Sequence, residues 1–279
     1  MPNDEMRQTW TAGADAWVSN EAFLDELFAP VTAVIVEAAG FRSGQSVLDL
    51  GCGTGSLLAA GATAGATVTG VDISAAMGQA AARRVPQAHV VIEDAQTADL
   101  RALAGAPFDR VVSRFGVMFF DDPVAAFANI RAATAAGGRM AFACWRGDEE
   151  NPMFTLGASP LVERMDEAGV PADPAASGPM AFEDPDRLTR LLADAGWSDV
   201  AYRPIDFECD YGPDGVEARL DVLFATTIGI QARATLESSL APAEWDNMLD
   251  EIRADVRIWQ GDAPTLTHPA AVWLVTAAP

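Results

Sequence analysis

Apolar positions along the chain fall into two repeating arrangements. Short continuous runs of β-favouring residues occupy 46–50, 66–71, 88–93, 108–115 and 139–145. Between them apolar residues recur every three or four positions, as over 20–28, 31–39, 75–84 and 122–134. A run of that length bounded by turn residues reads as a strand buried on both faces, and the longer spacing reads as a helix covering it. Five such strand–helix repeats predict an α/β fold with a doubly wound, mostly parallel sheet. The remaining sequence is too irregular to supply the eight units of a barrel.

Punctuation along the chain refines the elements. Pro30 stands in the first turn of the helix at 31–39, which Gly40 ends. Ser74 is placed to cap the helix at 75–84, and Asp122-Pro123 opens a helix that runs to 134 and is closed by Gly137-Gly138. A short helix is expected at 97–103. The pattern then breaks over 147–184, which holds Pro152, Pro160, Pro171, Pro174 and Pro179 and one helical patch at 161–167. A connection this long is usually functional, and it reads as part of a substrate cap. Asp184-Pro185 starts a further helix ended by Gly196, and 199–209 is a sixth strand. Two helical stretches, 216–240 and 244–259, are split by Pro242 and predict a helical hairpin over a pocket. A last strand follows at 270–276.

The turn after the first strand adds chemistry to this outline. Residues 46–58 read SVLDLGCGTGSLL, a strand, a glycine cluster and a resumed helix. Gly51, Gly53 and Gly55 carry no Cβ, so a ligand can lie against the backbone, and the N–H groups of the helix start point into the turn. The dinucleotide fingerprint wants a glycine or alanine where Ser56 stands, and a phosphate loop wants a lysine that is not there. Asp72 ends the second strand, 19 positions after Gly53. An acid at about that distance is placed to accept two ribose hydroxyls at once.

VLDLGCGTG, TGVDIS, IEDA and PFDRVVSRFGVMFF, in that order, resemble the class I S-adenosylmethionine-dependent methyltransferases, and most of all the group around the ubiquinone and menaquinone biosynthetic enzymes. The likeness spans 41–145 and returns at the C-terminal AAVWLVTA. It implies a seven-stranded Rossmann-like sheet with an antiparallel last strand, a helical cap, and S-adenosylmethionine as cofactor with S-adenosylhomocysteine as product. It implies that Asp49 receives the methionine ammonium. Gly51, Cys52, Gly53 and Gly55 then line the methionine and ribose, Asp72 and Ile73 hold the ribose, and Asp94 with Ala95 recognises adenine. Ligands of such sheets bind at the carboxyl ends of strands, which puts Ser113, Arg114 and Phe115 beside the transferable methyl. Trp10, Trp17, Met118 and Trp145 are the acceptor-pocket candidates, the two N-terminal tryptophans reading either as packing or as a lid.

The expected organisation is a helical lid over 1–40, a cofactor core over 41–146, a cap insertion over 147–184, core again over 185–212, a helical cap over 213–266 and a final core strand over 267–279. The expected reaction is methyl transfer to a small, hydrophobic organic acceptor at oxygen or carbon by in-line displacement. For a base the chain offers His268, Asp121, Asp148, Glu149, Glu150 and Tyr211, none in a diagnostic spacing, with His268 the weak candidate. Two other readings stay open: a nicotinamide-dependent oxidoreductase, against which Ser56 and the absence of a Tyr-x-x-x-Lys pair weigh, and a protein that binds S-adenosylmethionine without transferring its methyl.

Charge and composition set the outer limits. The 279 residues carry a net charge of −22, with 40 acidic against 18 basic residues. That opposes nucleic-acid and anionic-membrane partners, which need basic surfaces. No apolar run approaches the roughly 18–20 residues of a membrane span. Cys52, Cys144 and Cys209 have no metal spacing, and three cysteines suit a reducing, cytoplasmic setting better than a disulfide framework. No metal is expected, and the N-terminus shows no signal-peptide pattern.

Overall fold

A computed structural model of the chain describes residues 3–168 and 178–279. Residues 169–177 of the proline-rich connection, with Pro171 and Pro174, lie outside the described residues. Strands β1 (Ser46–Leu50), β2 (Thr67–Asp72), β3 (His89–Ile92), β4 (Phe108–Arg114), β5 (Thr134–Trp145), β6 (Ser198–Asp210) and β7 (Thr267–Ala278) form one sheet in the order β3-β2-β1-β4-β5-β7-β6. Strands β1 to β5 pair in parallel. β7 runs antiparallel between β5 and β6, as the resemblance implied. The order reverses between β1 and β4, so a crevice opens outside their carboxyl ends.

Twelve α-helices accompany the strands in the described residues. Helices α1 (Asp4–Ala12), α2 (Ala14–Ser19), α3 (Glu21–Leu27) and α4 (Ala29–Ala39) precede the sheet. Helices α5 (Ser56–Thr63), α6 (Ala75–Arg84) and α7 (Pro123–Ala132) connect its parallel strands, and α8 (Ser159–Glu167) and α9 (Pro185–Asp194) follow β5. Helices α10 (Gly215–Leu223), α11 (Thr227–Leu236) and α12 (Pro242–Gln260) lie between β6 and β7. Helix α4 packs on β4 and β5, α5 on β2, α6 on β3 and α9 on β6. The buried runs of β1, β4 and β5 meet Ile35, Leu57 and Phe127 in one core. None of the described helices is long and apolar enough to cross a membrane.

Four expected elements differ. Helix α7 stops at Ala132, and β5 begins at Thr134, so Gly137-Gly138 lies inside the strand. The register jumps there from Phe108↔Thr134 to Arg110↔Arg139, a bulge. A Cβ on Gly138 would stand 2.7 Å from Thr134 Cγ2, so the bulge needs glycine. The stretch 97–103 forms only a 3-10 turn at Leu100–Ala102. The stretch 216–240 breaks into α10 and α11 because Thr226 turns extended and its hydroxyl caps the Gly229 N–H. Ser74 takes the backbone of an N-cap, but its hydroxyl caps nothing, and its N–H donates instead to Asp72.

One side chain ties the end of β5 to β7. Asn151, fully buried, donates to the carbonyls of Arg146, Gly147 and Ala271 and accepts from the Ala271 N–H at 2.8 Å. Its removal orphans several buried main-chain groups at once. Asn151→Ala is expected to lower stability by roughly 1–3 kcal/mol in urea unfolding.

Candidate active site

The site grows from the turn that stops β1. Gly51, Gly53 and Gly55 all take positive φ, +61°, +53° and +90°, which glycine alone adopts without strain. Gly51 and Cys52 donate to the Val71 carbonyl at 2.9 and 3.2 Å, pinning the turn to β2. A Cβ on Gly51 would stand 2.7 Å from Gly116 Cα, so the tips of β1 and β4 touch only because both residues are glycine. At Gly53 a Cβ would meet nothing within 4 Å: this backbone faces open space. Gly55 faces the other way, onto Ala81, and serves as the N-cap of α5. The Cys52 thiol packs beneath the turn, 2.8 Å from where a Cβ on Gly70 would be, and burial pushes its pKa far up.

Three aspartates stand along the crevice. Asp72 ends β2 with both oxygens held, Oδ2 by the Gly53 N–H at 2.7 Å and Oδ1 by the Ser74 N–H at 2.8 Å. Burial pushes its pKa up to about 6 against the pull of those two amides. Asp49, buried in β1, is driven well above the usual carboxylate range by burial, with the Arg114 guanidinium pulling it down and the Asp72 charge adding to the rise. Asp94, also buried, accepts from the Asn3 side-chain amide at 3.0 Å on each oxygen and from the Gln96 N–H at 2.9 Å. Asn3 itself accepts from the Asp121 N–H at 2.7 Å and donates its own N–H to Asp121. Nothing in the sequence marked Asn3, because a polar residue 91 positions from Asp94 carries no local pattern.

One cavity joins these groups, with about 1380 Å³ of empty space including its mouth. Asp49, Gly51, Cys52, Gly53, Asp72, Ile73, Asp94, Ala95, Arg114 and Phe115 all line it, as do Trp10, Trp17, Met118 and Trp145. Among the candidates, Gly55, Ser113 and His268 do not. The Ser113 hydroxyl is spent inside the fold, donating to the Leu50 carbonyl at 2.7 Å and accepting from the Gly116 N–H.

His268 is the clearest correction. Its Nε2 accepts from the buried Tyr211 hydroxyl at 2.9 Å, and its Nδ1 lies 2.9 Å from the Pro269 carbonyl. A carbonyl only accepts, so Nδ1 carries the proton and the ring is neutral. Burial lowers its pKa to about 4. Tyr211, Asp121, Asp148, Glu149 and Glu150 are off the cavity wall as well; Glu150 pairs with Arg146 and Asp121 with Asn3.

Away from the carboxylates the wall is apolar. Phe115 follows β4 at φ +69°, a backbone that a bulky residue enters only under strain. The strain aims its ring flat against Trp145, with centroids 4.3 Å apart and planes at 7°. Phe28 and Phe154 stand edge-on to Trp145. The N-terminal helices supply part of this wall: Trp10 meets Phe119 at 5.0 Å, and the Trp17 indole N–H donates to the Ala225 carbonyl at 2.9 Å. The set has the chemistry a sulfonium nucleoside calls for: open glycine backbone, buried acids and an aromatic wall.

Comparison with known proteins agrees with this geometry. The methyltransferase-domain family matches residues 48–142. A demethylmenaquinone methyltransferase of Renibacterium salmoninarum is 30% identical over 183 residues, covering 62% of this chain and 75% of its own. One from Paenarthrobacter aurescens is 30% identical over 181 residues, covering 61% and 69%. Among solved structures, the YcgJ protein of Bacillus subtilis superposes with a TM-score of 0.54 over 89% of this chain and 97% of its own, at 14% identity, a likeness of fold. The chain belongs to the class I S-adenosylmethionine-dependent methyltransferases, in the group of the menaquinone and ubiquinone enzymes.

Proposed function

We propose that the protein methylates a small, flat, hydrophobic acceptor at oxygen or carbon inside this one cavity. The observation that carries the reading is the division of the wall. Every acid and the one cationic side chain among the described lining residues cluster at the ends of β1 to β4, and the remainder is mostly aromatic and aliphatic, with uncharged polar groups such as Asn3, Thr226 and Thr227. The relatives named as demethylmenaquinone methyltransferases support a quinone-like acceptor.

S-adenosylmethionine, when bound, supplies a methyl already activated on a sulfonium. The chain's own task is therefore to position two reactants and exclude water. Asp49 takes the methionine ammonium, while the backbone of Gly51, Cys52 and Gly53 lies along the methionine and ribose. Asp72, with Ile73 beside it, holds the ribose hydroxyls. Asp94 takes the adenine amine in exchange for the Asn3 amide, and Ala95 flanks the ring. Phe115 and Trp145 form a platform for the acceptor, with Trp10, Trp17 and Met118 around it. Residues 1–40 act as the lid and 213–266 as the cap.

No titratable side chain lines the aromatic part of the cavity among the described residues. An acceptor there brings its own acidity, as a phenol, a quinol or a stabilised carbon acid does, because no base waits to deprotonate a weakly acidic alcohol. Incubation with methyl-labelled donor and a panel of acceptors tests this. Label is expected on naphthoquinols or flat phenols and not on primary aliphatic alcohols. Label on the aliphatic alcohols would refute the base-free reading.

A further inference from the structure

Arg219, in α10, is the largest fully buried side chain among the described residues. Its Nη2 donates to the Met153 carbonyl at 2.8 Å and to the Leu156 carbonyl at 2.6 Å. Its Nε and Nη1 have no hydrogen-bond partner, and no carboxylate pairs with it, among the described residues. The ionisable groups that face it are Cys209 of β6, Tyr211 just beyond that strand and His268 of β7. All three are neutral near pH 7. Burial pushes the thiol and the phenol up, and the His268 ring is held neutral by Tyr211 and the Pro269 carbonyl. The acids of its own helix, Glu217 and Asp221, are exposed, and Glu217 pairs with Arg253 of α12. A guanidinium stays protonated even when buried, so Arg219 is an uncompensated positive charge in the interior.

That charge stands behind the aromatic part of the cavity. Met153, whose carbonyl Arg219 holds, lines the cavity, as do Phe154 beside it and Val222, three positions along α10. Phe154 stands edge-on to Trp145 at 5.2 Å. Arg114, by contrast, has Asp25 at 3.4 Å and the Asp49 charge to offset it. We infer that Arg219 favours the ionised form of the acceptor, so that the enzyme selects phenols and enols that react as their anions. The inference rests on the proposed acceptor pocket and adds the charge state in which the acceptor reacts. Charge in a dry interior is poorly screened: a unit charge about 10 Å away, at an effective dielectric of about 20, shifts an ionisation about tenfold. The acceptor's proton leaves to solvent before transfer. The anion then forms the bond to the methyl, the C–S pair returns to sulfur, and the acceptor's negative charge and the sulfonium's positive charge cancel. A buried cation without a counter-ion destabilises a fold where an apolar side chain of similar length would not, and a role at the pocket accounts for its presence.

The probe is 4-nitro-1-naphthol, a flat phenol whose absorbance reports its ionisation, with its methyl ether as the neutral control. Bound to the wild-type protein, the naphthol is expected to ionise about one pH unit lower than in water, which is about tenfold in favour of the anion. Bound to Arg219→Met it is expected to ionise no lower than in water, because the acids of the cavity remain, while the methyl ether binds both proteins within about threefold. Arg219→Gln, which keeps an amide donor for the Met153 and Leu156 carbonyls but not the charge, is expected to lose the shift as well, and it carries the test if the methionine variant does not fold. A wild-type shift of zero or upward overturns the inference. So does a folded variant that keeps the downward shift, or one that loses naphthol and ether by the same factor, since that is the mark of support for the wall alone. Failure of the wild-type protein to bind either compound overturns the acceptor pocket itself, and the inference with it.

Discussion

Asp72→Ala weakens S-adenosylhomocysteine binding by about 10- to 100-fold, the loss of two charge-assisted hydrogen bonds to ribose. The carboxylate also holds the Gly53 and Ser74 N–H groups, so its removal loosens the turn that it anchors. Calorimetry on the folded variant measures the change. The wild-type protein should show a pH dependence that is reduced in the variant, where buried Asp49 remains as a titrating acid. In the free protein Asp72 has a pKa of about 6. Ribose hydroxyls donate to the ionised form, so protons compete with the ligand, and affinity falls as pH drops below about 6. Stability of the free fold runs the other way. A carboxyl whose folded pKa is raised from 3.8 favours the fold fully below pH 3.8 and loses that contribution as pH rises through about 6. The ligand should therefore raise the melting temperature more at pH 8 than at pH 5.5.

Gly116→Val is expected to cost about 3–5 kcal/mol in urea unfolding, among the largest effects of a single substitution in this chain. Even a lone Cβ at Gly116 would stand 2.5 Å from the Leu50 carbonyl oxygen and 2.8 Å from Gly51 Cα. Both neighbours are main chain, and rotating a side chain relieves neither. The strand tips must part, which breaks the Ser113–Leu50 hydrogen bond and opens the glycine turn. Cofactor binding should fail along with stability. Gly137→Ala serves as the control, since a Cβ there meets nothing within 4 Å.

What was legible in the sequence was legible because it is local. The strand, glycine turn and helix around Gly51–Gly55 follow from a continuous apolar run and three residues without Cβ. Asp72 follows from the fixed length of one strand–helix–strand unit. The parallel sheet follows from alternation. The seventh strand's direction came only from family resemblance, because nothing in AAVWLVT tells an antiparallel strand from a parallel one. What stayed hidden depends on distant partners. Gly137-Gly138 looked like a helix stop and proved to be a bulge, a choice that Phe108 and Thr134 make across the sheet. Ser113 sat at the right strand end but turned inward to Leu50, and Gly55 turned to Ala81. His268, only a weak candidate base from its sequence, is engaged at its second nitrogen by Tyr211, 57 positions away. Asn3 reaches Asp94 and Asp121 through space alone. Arg114 was placed at the site by its strand end, but only packing shows it as the one cationic side chain among the described residues of an acidic wall.

A crystal structure of the protein grown with S-adenosylhomocysteine decides where the cofactor sits. The nucleoside is expected in the crevice outside β1 and β4, its ribose hydroxyls on the Asp72 carboxylate and its chain along Gly51–Gly53. Electron density for the nucleoside at any other place, with Asp72 still bonded only to Gly53 and Ser74, would contradict it.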